Sequence, residues 1–470
     1  MKRKKVLKIA FLLFTLIFSL IIFAGCNAMS EARSVTGAKI NESGELILSY
    51  SDGSEENLGA VVGKDGAPGK DGADGKDGTD GEDGIPGIPG KDGEDGKAGE
   101  DGTVDIKIDV NSDGTAVEAA VSKGLRSTVS IEAHFTKTVY NPYTGASSES
   151  EYGSEGSGVI YRLDDQSGSA YIITNHHVVY DSASNTADGI SADIRLYLYG
   201  SEYSDQSFPA TYVGGSMTYD IAVLYAEGCD ALKAEFPFAC DIADSDKIQA
   251  GQTSIAIGNA EGYCICATSG IISVDSESIT MNLADGSGSV SRRVIRIDTS
   301  VNHGNSGGPL FNDQGELIGI VSAKIETDTV DNIGYAIPSN IARAVADNII
   351  DNCVATTLKT PQRATIGISV IAINSAAEVD TVSGRVVKKE SSEVTAVTAG
   401  SAADGKLLVG DVLISATLNG ATKEITRNHH LVDIALDLRA GDTLVLIVLR
   451  DGVETTTNIT ISQNNISSVK

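Results

Sequence analysis

Ser306 sits in the run Gly304-Asn305-Ser306-Gly307-Gly308-Pro309-Leu310. A serine hydroxyl becomes a useful nucleophile only when a base takes its proton and fixed donors receive the oxyanion that develops. Glycines on both sides of Ser306 let the backbone turn, so that the N–H groups of Gly304 and Ser306 point into one concavity. A base is offered by Tyr171-Ile172-Ile173-Thr174-Asn175-His176-His177-Val178, where a β-like run delivers histidine at its end. Alternation along a strand lets only one of His176 and His177 face the same side. An acid is offered by Asp220, which opens the apolar run Ile221-Ala222-Val223-Leu224. Acyl transfer needs these three groups together, with the imidazole between the other two.

Short β-rich runs must carry them. Thr128–Ala133, Gly158–Arg162, Tyr171–Thr174, Asp193–Tyr199, Ile221–Tyr225, Thr253–Gly258, Val294–Ile297 and Leu317–Ser322 are separated by Gly, Asn and Asp. Many short strands at regular spacing point to an all-β barrel or sandwich. A helical pattern from Pro338 to Asp351, apolar at Ile341, Val345 and Ile349, closes this domain. A Thr/Lys/Pro linker at 356–361 leads into a second module running to 462, which mixes strands with a short helix around Leu431–Leu438.

The order His…Asp…Ser is that of the chymotrypsin-like double barrel, and unrelated folds use other orders. The stretch 116–462 resembles the high-temperature-requirement (HtrA/Deg) family of trypsin-like serine proteases. The resemblance is carried by Gly156-Ser157-Gly158-Val159-Ile160, Thr174-Asn175-His176-His177-Val178, Asp220 to Leu224, Ile257-Gly258-Asn259, Thr268 to Ser273, Asp298 to Leu310 and Ile333 to Asn340, in that order. It implies a mainly β protein, with two six-stranded barrels over 116–352 and the site between them. His177 would be the general base, Asp220 the group that orients it and Ser306 the nucleophile, with the N–H groups of Gly304, Asn305 and Ser306 lining an oxyanion hole. Ile320, Val321, Ser322 and Ala323 would wall a small apolar specificity pocket. The family pattern Thr-Asn-x-His-Val selects His177 over His176, and His303 stands where the family usually has Pro.

The module at 361–462 resembles a PDZ domain, through Thr365-Ile366-Gly367-Ile368, Val397 to Ala403, Leu408 to Leu413, Gly441 to Leu444 and Arg450-Asp451-Gly452. Such domains add a peptide as an extra strand and hold its terminal carboxylate on backbone N–H groups. By resemblance those come from the loop Ile366, Gly367 and Ile368. His429 and His430 are expected at the surface of its helix.

Upstream, Met1 to Lys8 carries five Lys/Arg and Ile9 to Ala24 is an uncharged apolar run ending in Phe23-Ala24-Gly25-Cys26. That length suits a secretion signal, and the ending resembles a bacterial lipoprotein box in which Cys26 is lipidated. The reading is a lipoprotein signal over 1–26 and a membrane anchor; an uncleaved anchor helix and free secretion are the alternatives. Residues 27–62 are polar, with a small hairpin at best around Lys39–Tyr50. From Gly63 to Gly102 glycine recurs at every third position. Only Gly fits at the crowded axis of a collagen triple helix, so the tract reads as a collagen-like stalk, or else as a flexible Gly/Asp-rich linker. A triple helix needs three chains, and the family resemblance implies a homotrimer.

The 470 residues carry a formal net charge of −28, which argues against a nucleic-acid partner. The cysteines beyond the signal, Cys229, Cys240, Cys264, Cys266 and Cys353, show no disulfide framework or zinc-like spacing. Cys229 and Cys240 could pair across a loop; Cys264 and Cys266 read as small buried thiols. No cofactor or metal is expected. With what the family resemblance implies, the expectation is an extracytoplasmic, ATP-independent serine endopeptidase that cleaves unfolded or damaged proteins and binds C-terminal peptides. The alternative is a surface adhesin or scaffold in which proteolysis is secondary.

Overall fold

A computed structural model describes residues 35–41, 45–51, 53–60, 116–202, 206–322, 333–354, 356–381 and 384–470. The expected signal, Cys26, the Gly-X-Y tract at 63–102 and Ala323 lie outside the described residues. Among the described residues, no helix is long and apolar enough to cross a membrane. The chain divides into two units, Met1–Val104 and Asp105–Lys470.

In the first unit, β1 (Val35–Ile40), β2 (Glu45–Tyr50) and β3 (Glu55–Ala60) form an antiparallel meander. The expected hairpin thus gains a third strand. Glu55, Glu56 and Asn57 have weak strand preference, which hid it. Cross-strand partners hold it instead, with Lys39 Nζ 2.9 Å from Glu55 and Tyr50 donating to Glu56 at 2.6 Å.

The second unit opens with helix α1 (Ala116–Leu125). Strands β4 (Thr128–Tyr140), β5 (Ser147–Asp164), β6 (Ser169–Thr174), β7 (Asp193–Leu198), β8 (Phe208–Ser216) and β9 (Ile221–Ala226) close one barrel in the order β4-β5-β6-β9-β8-β7. A second barrel, ordered β10-β11-β12-β15-β14-β13, is closed by β10 (Thr253–Gly258), β11 (Cys266–Asn282), β12 (Ser289–Ile297), β13 (Pro309–Phe311), β14 (Leu317–Val321) and β15 (Gly334–Pro338). Side chains alternate across each strand, so one set fills a barrel and the next packs outside it. Ile172 and Leu224 are buried inside the first barrel, whereas Ile173 and Val223 join a core shared by both barrels and the closing helix. Ile255, Ile257 and Phe311 answer from the second barrel. Each such buried side chain contributes ~1.5–3 kcal/mol of transfer free energy, which fixes the cleft between the barrels.

The short helix α2 (His176–Val179) follows β6. Helix α3 (Ser339–Cys353) buries Ile341, Val345 and Ile349 along one face, as their spacing requires. The linker does not hang free. Lys359 O accepts from Gly215 N at 2.8 Å, and the Asn348 amide clasps both the N–H and the carbonyl of Gln362 at 2.7 Å each.

The C-terminal module has a sheet ordered β17-β18-β19-β21-β22, built from β17 (Ile368–Val379), β18 (Val386–Val397), β19 (Val412–Leu418), β21 (Thr443–Arg450) and β22 (Val453–Thr460). The short β20 (Ala421–Glu424) pairs with β19, and β16 (Gln362–Ala364) with β23 (Ile466–Ser468). Its helix α4 (His429–Asp437) packs toward the second barrel. Arg427 meets Asp275 at 2.8 Å and Arg343 meets Asp437 at 3.1 Å; Lys423 pairs with Asp246. The expectation that His429 and His430 are surface residues is therefore corrected. His430 is buried with Nδ1 3.0 Å from Glu424 O, and His429 is half-buried against Asp246 and Ser276.

Candidate active site

β6 ends at Thr174, and the chain then turns into α2, so His176 and His177 diverge around a helical turn rather than across a strand. His176 is buried, its ring 5.1 Å from Tyr180 and 6.2 Å from Tyr212. His177 turns toward Asp220, with Nδ1 3.0 and 2.9 Å from the two carboxylate oxygens and the backbone N–H 3.1 Å from Oδ1.

Asp220 is 4% exposed and adopts φ +56°, a left-handed conformation that aspartate tolerates better than most residues. Its carbonyl accepts from the Asn175 side chain at 2.9 Å and from His176 N at 3.2 Å, which tie the acid to the base's loop. Burial pushes its carboxyl upward, but His177 and the Arg292 guanidinium outweigh that and hold it down at about 2.

Two partners of Asp220 were not assigned that role by the sequence. Ser322 Oγ lies 3.4 Å from Oδ2, and Arg292 Nη1 lies 3.8 Å from the same oxygen. Arg292, buried on β12, donates Nε to Thr218 O at 2.6 Å and Nη2 to Met217 O. It thereby clamps the turn leading to the acid. The available signal was register, since Arg292 shares a strand face with buried Val294.

Ser306 follows a loop whose shape needs glycine. Gly304 (φ +87°) and Gly307 (φ +82°) are both left-handed, and a Cβ on Gly304 would stand 2.0 Å from Asn259 O. The loop is braced by Ser157 Oγ to Gly304 O at 2.7 Å, Ser157 N to Ser306 O at 2.8 Å and Gly307 N to Val321 O at 2.9 Å. Of the three amides expected in an oxyanion hole, that of Asn305 donates to Asn302 O at 3.1 Å. A tight turn spends it, so the expectation narrows to Gly304 and Ser306. His303 accepts through its carbonyl from Glu261 N at 2.7 Å, joining this loop to the turn at 259–262.

Ile320 and Val321 are fully buried in the cores on either side of β14, and Ser322 faces Asp220. The Cys229, Cys240, Cys264, Cys266 and Cys353 thiols are free. Cys264 is exposed rather than buried, in the irregular segment just before β11. The loop expected to hold peptide carboxylates turns at Gly367, φ +89°, with Ile366 O accepting from Ala403 N at 3.1 Å.

The trypsin-like peptidase domain family matches residues 156–320, and the collagen triple helix repeat matches 52–105. The Do-like serine protease HtrA of Bacillus subtilis (strain 168) is 31% identical over 343 residues, covering 71% of this chain and 69% of its own. The Do-like serine protease HtrA of Lactococcus lactis subsp. cremoris (strain MG1363) is 31% identical over 384 residues, 77% of this chain and 85% of its own. The chain belongs to the HtrA family of serine proteases. It is a serine endopeptidase built on the trypsin-like fold, with a collagen-like region ahead of the protease. The periplasmic serine endoprotease DegP of Escherichia coli (strain K12) is a further HtrA-type relative, 31% identical over 330 residues, 69% of this chain and 60% of its own.

Proposed function

We propose that this HtrA-family chain is an extracytoplasmic, ATP-independent protease of protein quality control, cleaving unfolded or damaged proteins through an acyl-enzyme. The observation that carries the proposal is the His177–Asp220 pair, closed at 2.9 Å in the barrel cleft beside the left-handed Gly304–Gly307 loop. Ser306 Oγ attacks the scissile carbonyl while His177 Nε2 takes its proton. Asp220 holds the Nδ1–H tautomer and stabilises the imidazolium. The N–H groups of Gly304 and Ser306 receive the oxyanion, and His177 returns the proton to the leaving amine. Water, activated by the same imidazole, then releases the acyl group. Unfolded segments suit the cleft because an extended chain is needed to reach it.

The region 361–462 acts as a PDZ module that takes peptide C-termini at Ile366, Gly367 and Ile368. Cys26 carries the lipid that anchors the chain outside the cytoplasm; a periplasmic setting is printed in the name of DegP. Collagen-like residues and protease together favour a homotrimer. The collagen match over 52–105 also favours a second reading, a surface scaffold in which proteolysis is secondary. Incubating the purified full chain with casein, with and without a serine-directed inhibitor, separates the two. Inhibitor-sensitive cleavage supports the protease; intact casein leaves the scaffold.

A further inference from the structure

The residues beyond 462 belong to neither expected domain, yet they run back to the protease. Ser462 caps the turn Gln463–Asn465, and Asn465 O accepts from Thr365 N at 2.7 Å. β23 then pairs with β16 in the register Ile466↔Ala364, Ser467↔Arg363 and Ser468↔Gln362. Val469 N donates to Pro361 O at 2.9 Å. β16 is itself anchored, since Gln362 is clasped by Asn348 of α3. This ribbon carries Lys470 to the first barrel, at the turn between β8 and β9.

That turn, Met217 to Asp220, delivers the acid, and its polar main chain is held from two sides. Arg292 donates to the carbonyls of Met217 and Thr218. The main-chain oxygen of Lys470 accepts from Thr218 N at 2.8 Å and from Ser216 Oγ at 2.8 Å. Ser216 Oγ in turn accepts from Tyr219 N at 3.3 Å. One oxygen thus serves two consecutive amides, the first directly and the second through a hydroxyl. Ser216 is fully buried, so its hydroxyl loses its acceptor if that oxygen leaves. Lys470 Nζ pairs with Asp285 and lies 3.2 Å from Ser287 Oγ, in the turn joining β11 to β12, the strand that carries Arg292. Asp220 follows at φ +56°, a conformation that persists only where the surroundings over-determine it.

We propose that residues 466–470 form a strap that positions the acid of the triad, with the main-chain oxygen of Lys470 as the positioning group. The inference rests on the reading of Asp220 as that acid. Lys470 acts through the turn in which Asp220 meets His177, and it touches none of the reacting atoms. A looser turn leaves the substrate cleft as it is, so the loss falls on the chemical step and not on binding. The strap's backbone matters more than its side chain, because Lys470 Nζ meets Asp285 from a largely exposed position where water screens the pair.

Labelling of Ser306 in the full chain by an organic fluorophosphonate tests the strap, because its kinetics separate reversible binding from the rate of phosphonylation. Deleting Val469 and Lys470 should slow phosphonylation about tenfold and leave the binding constant near wild type. Lys470→Ala keeps the main-chain oxygen and should lose no more than about twofold. Ser216→Ala opens the relay to Tyr219 without altering the strap, and it should slow phosphonylation by about fivefold. Should the deletion fail to melt cooperatively, Ser216→Ala takes its place. Asp220→Asn tells this inference from the reading it rests on. Slow labelling in Asp220→Asn with an unaltered rate in the deletion overturns the strap alone; an unaltered rate in Asp220→Asn overturns both. A deletion that weakens binding and leaves the rate constant intact also overturns the strap.

Discussion

Asp220 holds the ring of His177 through both carboxylate oxygens, and it does so from a left-handed backbone whose carbonyl Asn175 holds and whose preceding turn Arg292 clamps. Asp220→Asn keeps the conformation, since asparagine also tolerates positive φ. It removes the charge that fixes the tautomer. Cleavage of an unfolded substrate should fall by roughly 10³–10⁴ in kcat/KM, and at neutral pH the variant should also melt below wild type, because the stabilisation supplied by the charged carboxylate is gone. The same carboxyl sets an acid limit. Its folded value of about 2 lies below the ~3.9 of an unfolded chain. The stabilisation is therefore complete above about pH 4 and is lost as pH falls toward 2, on the order of 2 kcal/mol. Urea melts of wild type and Asp220→Asn between pH 5 and 2 should converge; parallel curves would refute the linkage.

The two adjacent histidines should separate cleanly. Ser306→Ala and His177→Ala should each abolish cleavage; the serine variant should melt near wild type, whereas loss of the imidazole leaves the buried Asp220 carboxylate short of a partner and should lower the melt. His176→Ala removes a ring packed against Tyr180 and Tyr212, so it should cost ~2–4 kcal/mol of stability. The folded fraction should still turn over substrate. Equal loss of turnover per folded molecule for both histidines would overturn the assignment of the base.

Arg292 offers a subtler test, as it touches no substrate. Arg292→Gln should free the Met217–Thr218 turn and loosen Asp220. Turnover should drop about tenfold with KM nearly unchanged, since binding surfaces stay intact. Arg292→Lys should not rescue it, because an ammonium cannot reach two carbonyls and a carboxylate at once. An unaltered kcat in the glutamine variant would reduce Arg292 to a structural role.

What could be read in advance follows from how local each feature is. The eight runs expected as strands all appear, because their apolar and β-branched content is a local signal. The nucleophile loop was legible because Gly304 and Gly307 announce positive φ. Barrel closure was not derivable from pattern and came only through the family resemblance. The clamp by Arg292 joins residues about 75 positions apart. Ser322 on Asp220 spans 102 positions. His177 was chosen over His176 as the structure has it, but the strand alternation expected to separate them is a helical turn, of which a strand pattern up to Thr174 gives no notice. The third strand at Glu55–Ala60 was hidden by its polarity.

The collagen-like region carries its own prediction. If 63–102 winds with two further copies, circular dichroism of that tract should show a cooperative melt. Gly78→Ala with Gly81→Ala should lower it, since no side chain fits the axis. A featureless, non-melting spectrum of the unaltered tract leaves it a linker.

The last expectation joins the module to the cleft. A peptide ending in an apolar residue with a free carboxylate should bind at Ile366 to Ile368, where Gly367 turns with φ +89° against Ser401. The module is in direct ionic contact with the protease through Arg427–Asp275 and Arg343–Asp437, and β11 and β12 run from that contact to Arg292. Peptide binding should therefore raise cleavage of an unrelated substrate by roughly 5- to 50-fold, within the usual ~1–3 kcal/mol of coupling between sites. Amidating the peptide should weaken the effect by removing the anionic acceptor. Gly367→Val should abolish it, because a side chain at that φ would collide with Ser401, while His177, Asp220 and Ser306 stay assembled and basal cleavage persists. Rate assays with the free and amidated peptides on both proteins decide the matter. Undiminished activation of the Gly367→Val chain would mean that the peptide acts somewhere other than this loop.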